Sequence, residues 1–216
     1  MEKERAIPVP RREALQELLG TARVVPVLTV DEADRAVPLV RALAAGGLTT
    51  VEITLRTPPA LRAIRRLAEE VPEVVVGAGS VLDPEGLARA AEAGARFVVS
   101  PGFTMRLAEA AAAAGVPWLP GVATVSEAMR AREAGLRLLK LFPAELAGGI
   151  GFLDAVRGPM PDLLFFPTGG IGPENYRDYL SRSNVAAVGG SWMAPPSAIA
   201  AGAWARITAS ATELAA

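Results

Sequence analysis

The stretch LRLLKLFPAE, residues 136–145, reads as a β-strand with one foreign residue in it. Side chains of a strand alternate between its two faces. Leu138, Lys140 and Phe142 therefore share one face, and Leu139 and Leu141 share the other. From Leu138 to Phe142 both faces are apolar apart from the lysine, as in a parallel strand covered on both sides. If Leu139 and Leu141 meet helices, Lys140 looks into the interior of the sheet. The chain has 20 arginines and only two lysines, Lys3 and Lys140. Arginine stays charged, whereas a buried lysine can lose its proton and act as a nucleophile.

Outward from this strand the same pattern recurs. Strands are expected at Arg23–Leu28, Thr50–Thr54, Val74–Gly77, Phe97–Val99, Trp118–Leu119, Leu136–Leu141, Leu163–Phe166 and Val185–Val188. Between them lie stretches with helical spacing: Asp31–Ala45, Pro58–Glu70, Pro84–Ala93, Thr104–Ala114, Val125–Ala134, Gly148–Val156, Pro173–Leu180 and Pro196–Leu214. An extra amphipathic helix, Arg11–Leu19, precedes the first strand. Asp83 followed by Pro84 is a helix-start signal, and Thr124 with Glu127 has capping-box spacing. Eight β-then-α units with short loops predict a (β/α)8 TIM barrel of one domain spanning 1–216, a size in the ~200–250 residue range of such barrels. An open doubly wound sheet is the alternative architecture.

Composition narrows the chemistry. Hydrophobic residues make up 51% of the chain and the net charge is −1, so no basic surface argues for nucleic acid. No apolar run reaches the ~20 residues that span a bilayer. The N-terminal MEKERAIPVPRR has no apolar core of a secretory signal, so a cytoplasmic protein without membrane contacts is expected. There is no Cys and no His. Thiolate catalysis, Ser/His/Asp triads and His- or Cys-ligated metal are thereby excluded. Neither a metal nor a cofactor is expected.

In a barrel of this kind the functional groups stand at the C-terminal ends of the strands. There Lys140 is the candidate nucleophile: burial disfavours the charged amine, and a free amine beside a ketone forms a Schiff base. A lysine paired with a buried carboxylate for purely structural reasons is the competing reading. VEITLR places Glu52, Thr54 and Arg56 on one strand face, with Arg56 at or beyond its end. Glu52 would share the lumen with Lys140 and could move protons. Arg56 offers a planar fork for a carboxylate. FPTGGI and VGGSWM end the seventh and eighth strands in double glycines, where barrels bind phosphate through backbone N–H groups. No basic residue accompanies these glycines, leaving amides and the hydroxyls of Thr168 and Ser191. GAGS, residues 77–80, is a lone GxG and no dinucleotide fingerprint.

Taken together, VEITLRT, VGAGSVLDP, VVSPGFT, LPGVATVSEA, LKLFPAE, FFPTGGI and VGGSWM resemble the 2-dehydro-3-deoxy-6-phosphogluconate (KDPG) and 4-hydroxy-2-oxoglutarate (KHG) aldolase family, from about Val24 to Trp192. The resemblance implies a class I aldolase on a (β/α)8 barrel, trimeric, of the Entner–Doudoroff route. Lys140 corresponds to the Schiff-base lysine, Glu52 to the general acid/base and Arg56 to the pyruvate-carboxylate arginine. Pro101 and Phe142 correspond to residues lining the pyruvate pocket. Thr168, Gly169, Gly170, Gly190 and Ser191 correspond to the phosphate and substrate loops. Ser80 stands where the family commonly has threonine, and Phe103 where some relatives have leucine. The implied partner is a phosphorylated keto acid, in a homotrimer. Two rivals remain: a phosphosugar isomerase or epimerase on the same barrel, needing no nucleophilic lysine, and a non-catalytic oligomeric scaffold.

Overall fold

A computed structural model of the chain describes Leu19 and residues 23–215. The strands are β1 Val24–Leu28, β2 Thr50–Thr54, β3 Val75–Gly79, β4 Phe97–Ser100, β5 Trp118–Val122, β6 Leu138–Leu141, β7 Leu164–Pro167 and β8 Val188–Gly190. All pair in parallel in chain order, and β1 returns to β8. Bridges Phe165↔Val185 and Thr168↔Gly189 close the ring between β7 and β8. Helices α1 Ala33–Ala45, α2 Ala60–Glu70, α3 Pro84–Glu92, α4 Met105–Ala114, α5 Val125–Glu133, α6 Gly149–Arg157 and α7 Tyr176–Leu180 follow the first seven strands, with α8 Pro196–Ala200 and α9 Trp204–Ala215 after the eighth. This is a (β/α)8 barrel. Among the described residues no helix is long and apolar enough to cross a membrane.

The strand alternation sorts apolar side chains into two cores. Leu139, Leu141, Val98, Phe165 and Val188 face outward and pack with the apolar stripes of the helices. Val25, Phe97, Val99, Leu119, Leu138, Leu164, Phe166 and Ala187 fill the lumen, with Leu19 packed against them. The rest of the helix expected at Arg11–Leu19 lies outside the described residues. Close to it, Arg23 holds the seam of the ring: its Nε donates to the Ala186 carbonyl (2.9 Å) and its Nη2 to the Val185 carbonyl (2.5 Å).

The expected caps form. The Gly86 N–H donates to the Asp83 carboxylate (2.7 Å), and Thr124 and Glu127 make a reciprocal capping box. The boundaries differ from expectation where glycine and proline sit inside strands. β5 runs on through Pro120 and Gly121, and β3 through Ala78 to Gly79. β8 begins at Val188, while Val185 makes only its bridge to Phe165. The single long helix expected over Pro196–Leu214 is two, separated at Gly202, whose φ of 62° no helix continues through.

Candidate active site

Lys140 projects from β6 into the lumen, as its parity with Leu138 requires. Glu52 projects from β2 on the opposite wall. Lys140 Nζ donates to Glu52 Oε1 at 3.1 Å and to Oε2 at 3.2 Å. The residues are 5% and 1% exposed, so both charges are out of bulk water and compensate each other. The sequence expectation is that burial disfavours the charged amine and that Glu52 shares the lumen with it. In the structure the counter-charge is in contact, one proton transfer from a free amine and a carboxylic acid.

Aromatic rings bound this pair. Lys140 Nζ lies 5.5 Å from the centre of the Phe142 ring and 5.8 Å from that of Phe166. Phe166 is fully buried at the β7 position in register with Lys140. One pleat further toward the N-terminal strand ends, Leu138 is paired with Leu164 in the lumen core. The amine therefore stands above an apolar layer of the lumen.

Room for the carboxylate comes from a missing side chain. A Cβ at Gly79 would overlap the Glu52 carboxylate and crowd its Cγ (2.7 Å). Gly189 does the same for β7: a Cβ there would lie 2.5 Å from Thr168 Oγ1 and 2.7 Å from Phe166 Cζ. At Gly121, in register with Lys140, a Cβ would overlap the Pro101 carbonyl, so the loop after β4 closes directly onto β5. That loop is pinned from behind. The Ser100 hydroxyl donates to the Gly102 carbonyl (2.7 Å) and accepts the Trp118 indole N–H (3.0 Å). Phe103 stacks on Trp118 with centroids 5.8 Å apart, which gives the phenylalanine at this position a packing role.

Arg56 is not on the strand face with Glu52. β2 ends at Thr54, and Arg56 lies in the turn beyond it, exposed. Its Nε donates to Ser80 Oγ at 2.9 Å, and its Nη1 and Nη2 have no partner among the described residues. Ser80 adopts φ +57°, a left-handed conformation uncommon outside glycine, and so aims its hydroxyl back at the arginine. Thr54 is committed to structure: its hydroxyl donates to the Leu28 carbonyl (3.1 Å) and pairs with Thr29 (2.9 Å). A cleft of about 310 Å³ lies between the β2 and β3 loops, lined by Ser80, Thr57, Leu61, Asp83 and Arg89. It reaches neither Lys140 nor Glu52.

The double glycines behave differently from each other. Gly169 and Gly170 both have positive φ, 98° and 80°. The amides of Gly169, Gly170 and Ile171 donate to no group among the described residues, an arrangement suited to an anion. Thr168 is buried and its hydroxyl also lacks a partner there. On β8, by contrast, the space above Gly190 is taken by the Trp192 indole, which lies against Tyr176 (5.7 Å). Gly190 thus makes room for packing, while Ser191 stands exposed beside it. Sequence reasoning left Phe166 without a role and counted Gly189 with the anion-binding double glycines. Phe166 could have been found from its parity with Thr168. Among the described residues no three of His, Cys, Asp and Glu converge as a metal site needs.

Residues 15–210 match the model of the family described as KDPG and KHG aldolase. A KHG/KDPG aldolase of Escherichia coli K12 is 48% identical over 202 residues, 94% of this chain and 95% of that protein. A 2-dehydro-3-deoxy-phosphogluconate aldolase of Pseudomonas aeruginosa is 51% identical over 193 residues, 89% of this chain and 88% of its own. Among solved structures, a KDPG aldolase of Legionella pneumophila, with pyruvate captured at low pH as a covalent carbinolamine intermediate, superposes with a TM-score of 0.90. It is 42% identical, over 92% of this chain and 97% of that one.

Proposed function

The chain belongs to the KDPG and KHG aldolase family, and from that premise we propose that it is a class I aldolase with Lys140 as its nucleophile. The substrate is 2-dehydro-3-deoxy-6-phosphogluconate, cleaved to pyruvate and glyceraldehyde 3-phosphate. 4-Hydroxy-2-oxoglutarate, giving pyruvate and glyoxylate, is the second substrate, in keeping with the KHG/KDPG name of the Escherichia coli relative. The observation that carries the reading is the contact of Lys140 Nζ with both Glu52 oxygens above the apolar lumen core.

The steps follow from that contact. Glu52 takes a proton from the Lys140 ammonium, and the amine attacks the C2 ketone to form a carbinolamine. Glu52 returns the proton to the departing hydroxyl, and water leaves an iminium on Lys140. The iminium is an electron sink. Through a water, Glu52 removes the C4 hydroxyl proton. The C3–C4 bond breaks, its electron pair forms an enamine, and the aldehyde departs. Glu52 then protonates C3, and hydrolysis frees pyruvate and Lys140. Arg56, steadied by Ser80, offers its two free nitrogens to the pyruvate carboxylate. Pro101 and Phe142 flank the pyruvate. The Gly169–Ile171 amides, with Thr168 and Ser191, receive the phosphate end.

Borohydride reduction in the presence of pyruvate tests the assignment. A pyruvate-derived adduct on the Lys140 peptide is expected. An unmodified lysine would leave the isomerase or scaffold reading standing. We also propose a cytoplasmic homotrimer working in the Entner–Doudoroff route. Met105, Val125 and Met129 are about half exposed on neighbouring α4 and α5, the last two one helical turn apart, an apolar surface a second copy would cover. Sedimentation at low micromolar concentration, with a monomer as the overturning result, checks it.

A further inference from the structure

Glu145 and Tyr179 take no part in the chemistry above, yet both are built into the wall of the 169–172 loop. Resting on the reading of that loop as the phosphate site, we infer that Glu145, tethered by the Tyr179 hydroxyl, is a positioning residue that sets the Gly169–Ile171 amides for an anion.

The loops after β6 and β7 are zipped together. The Ala144 N–H donates to the Thr168 carbonyl (2.8 Å) and the Glu145 N–H to the Gly169 carbonyl (3.1 Å). The stem of Glu145 fills the space that Gly170 leaves: a Cβ at 170 would lie 2.7 Å from Glu145 Cβ and overlap Cγ. A longer residue at 170 would push the side chain out, and a misplaced Glu145 would press on the loop. Glu145 is exposed, so nothing about its burial fixes the carboxylate. Its anchor is Tyr179, fully buried on α7, whose hydroxyl donates to Glu145 Oε1. Gly149 leaves the room for this contact: a Cβ there would stand 3.0 Å from the Tyr179 hydroxyl. Burial first, and then the hydrogen bond to Glu145, hold the hydroxyl above the ordinary tyrosine range, so the donor keeps its proton at working pH.

Asn175 completes the frame from the same segment: it accepts the Gly172 N–H (2.9 Å) and donates to the Gly170 carbonyl (3.0 Å). That removes the carbonyl from the loop's open face and leaves the three amides.

The test uses full-length Tyr179→Phe, Glu145→Ala, Glu145→Gln and the Tyr179→Phe/Glu145→Ala double variant. Three quantities are read: the rate of borohydride trapping with pyruvate, KM for the phosphorylated substrate, and inhibition by inorganic phosphate. Tyr179→Phe is expected to raise KM and weaken phosphate inhibition about tenfold, the scale of one charge-assisted hydrogen bond. Pyruvate trapping should stay within about twofold, since it needs no phosphate loop. Glu145→Ala should match Tyr179→Phe, and the double variant should be no worse than either, because the two act as one unit. Glu145→Gln, which keeps an acceptor, should retain most of the phosphate affinity. Equal losses in trapping and in phosphate affinity, additive losses in the double variant, or no loss at all would each overturn the inference. So would failure of every variant to fold, which would make the pair a folding determinant. Absence of trapping in the wild type would instead remove the aldolase reading, while calorimetric phosphate binding by wild type and Tyr179→Phe still decides the inference.

Discussion

Replacing Lys140 by methionine isolates what the buried pair contributes. The Nζ–Oε1 separation is 3.1 Å with both side chains nearly inaccessible. At an effective dielectric constant of 20 that separation corresponds to about 5 kcal/mol of attraction. Desolvation of the two ions offsets much of it, so the pair itself adds little net stability. Removing one member is different: it strands the Glu52 carboxylate in the lumen, and stranded buried charges cost roughly 3–5 kcal/mol. For a chain of this size that is roughly a 10 °C fall in Tm, at about 2–4 °C per kcal/mol. Glu52→Met in the same background removes the stranded charge and should recover most of the loss, although neither protein should turn over substrate. The assay is a urea-unfolding cycle over wild type, both single variants and the double. A Lys140→Met variant within ~1 kcal/mol of wild type, or a double variant no more stable than the single, would show that the pair is solvated.

Gly79→Ala places a methyl group where the Glu52 carboxylate now sits, so turnover should fall at least ~100-fold, the scale of lost general acid–base catalysis. Steady-state pyruvate release measures it, and a near-normal rate would mean that Glu52 has another place to go. Thr168→Val removes a buried hydroxyl that has no partner among the described residues. Stability should hold or rise by up to ~1 kcal/mol while KM rises, since such a group costs free energy until a ligand meets it. A loss of stability in denaturant unfolding would show a protein partner instead. The hydroxyl of Tyr179 titrates higher folded than unfolded. The Glu145 contact is therefore fully stabilising below the ordinary tyrosine value of about 10 and is lost as pH climbs through the raised one. Wild type should lose its advantage over Tyr179→Phe above pH ~10, read as Tm difference against pH. Asp162 has the opposite sign. The Arg132 hydrogen bond, aided by Arg137, holds its carboxyl below the ordinary range, so its contribution is present at neutral pH and lost as pH falls through the lowered value. Asp162→Asn should flatten that acid limb.

What could be read from the sequence was whatever side-chain identity and strand parity determine. Lys140 in the lumen follows from Leu139 and Leu141 needing helices, and Glu52 opposite it follows from the same rule on β2. The caps at Asp83 and Thr124 are local chemistry and form as local chemistry requires. Arg56 marks where that rule stops. Parity holds only while the strand continues, and β2 ends two residues short of it. What then places the arginine is Ser80, held at φ +57° on a neighbouring loop, a conformation no spacing rule assigns to serine.

The less legible part of the site consists of absent atoms. Gly79, Gly121 and Gly189 look in sequence like turn signals, and they made β3 and β5 seem to end early. In the barrel they are strand or bridge positions whose missing side chains admit Glu52, the Pro101 loop and the Thr168–Phe166 wall. A glycine that vacates space has the same sequence signature as one that bends the chain. The two can be told apart only when the atoms entering the space are known, and those come from strands 20 to 30 residues away. The Lys140 and Glu52 side chains are thus specified one by one, but the space that lets Lys140 reach Glu52 is a property of the closed ring. At Gly79 and Gly189 an added methyl group meets side chains of the site, whereas at Gly121 it meets the Pro101 backbone, so substitution there should impair folding as well as chemistry.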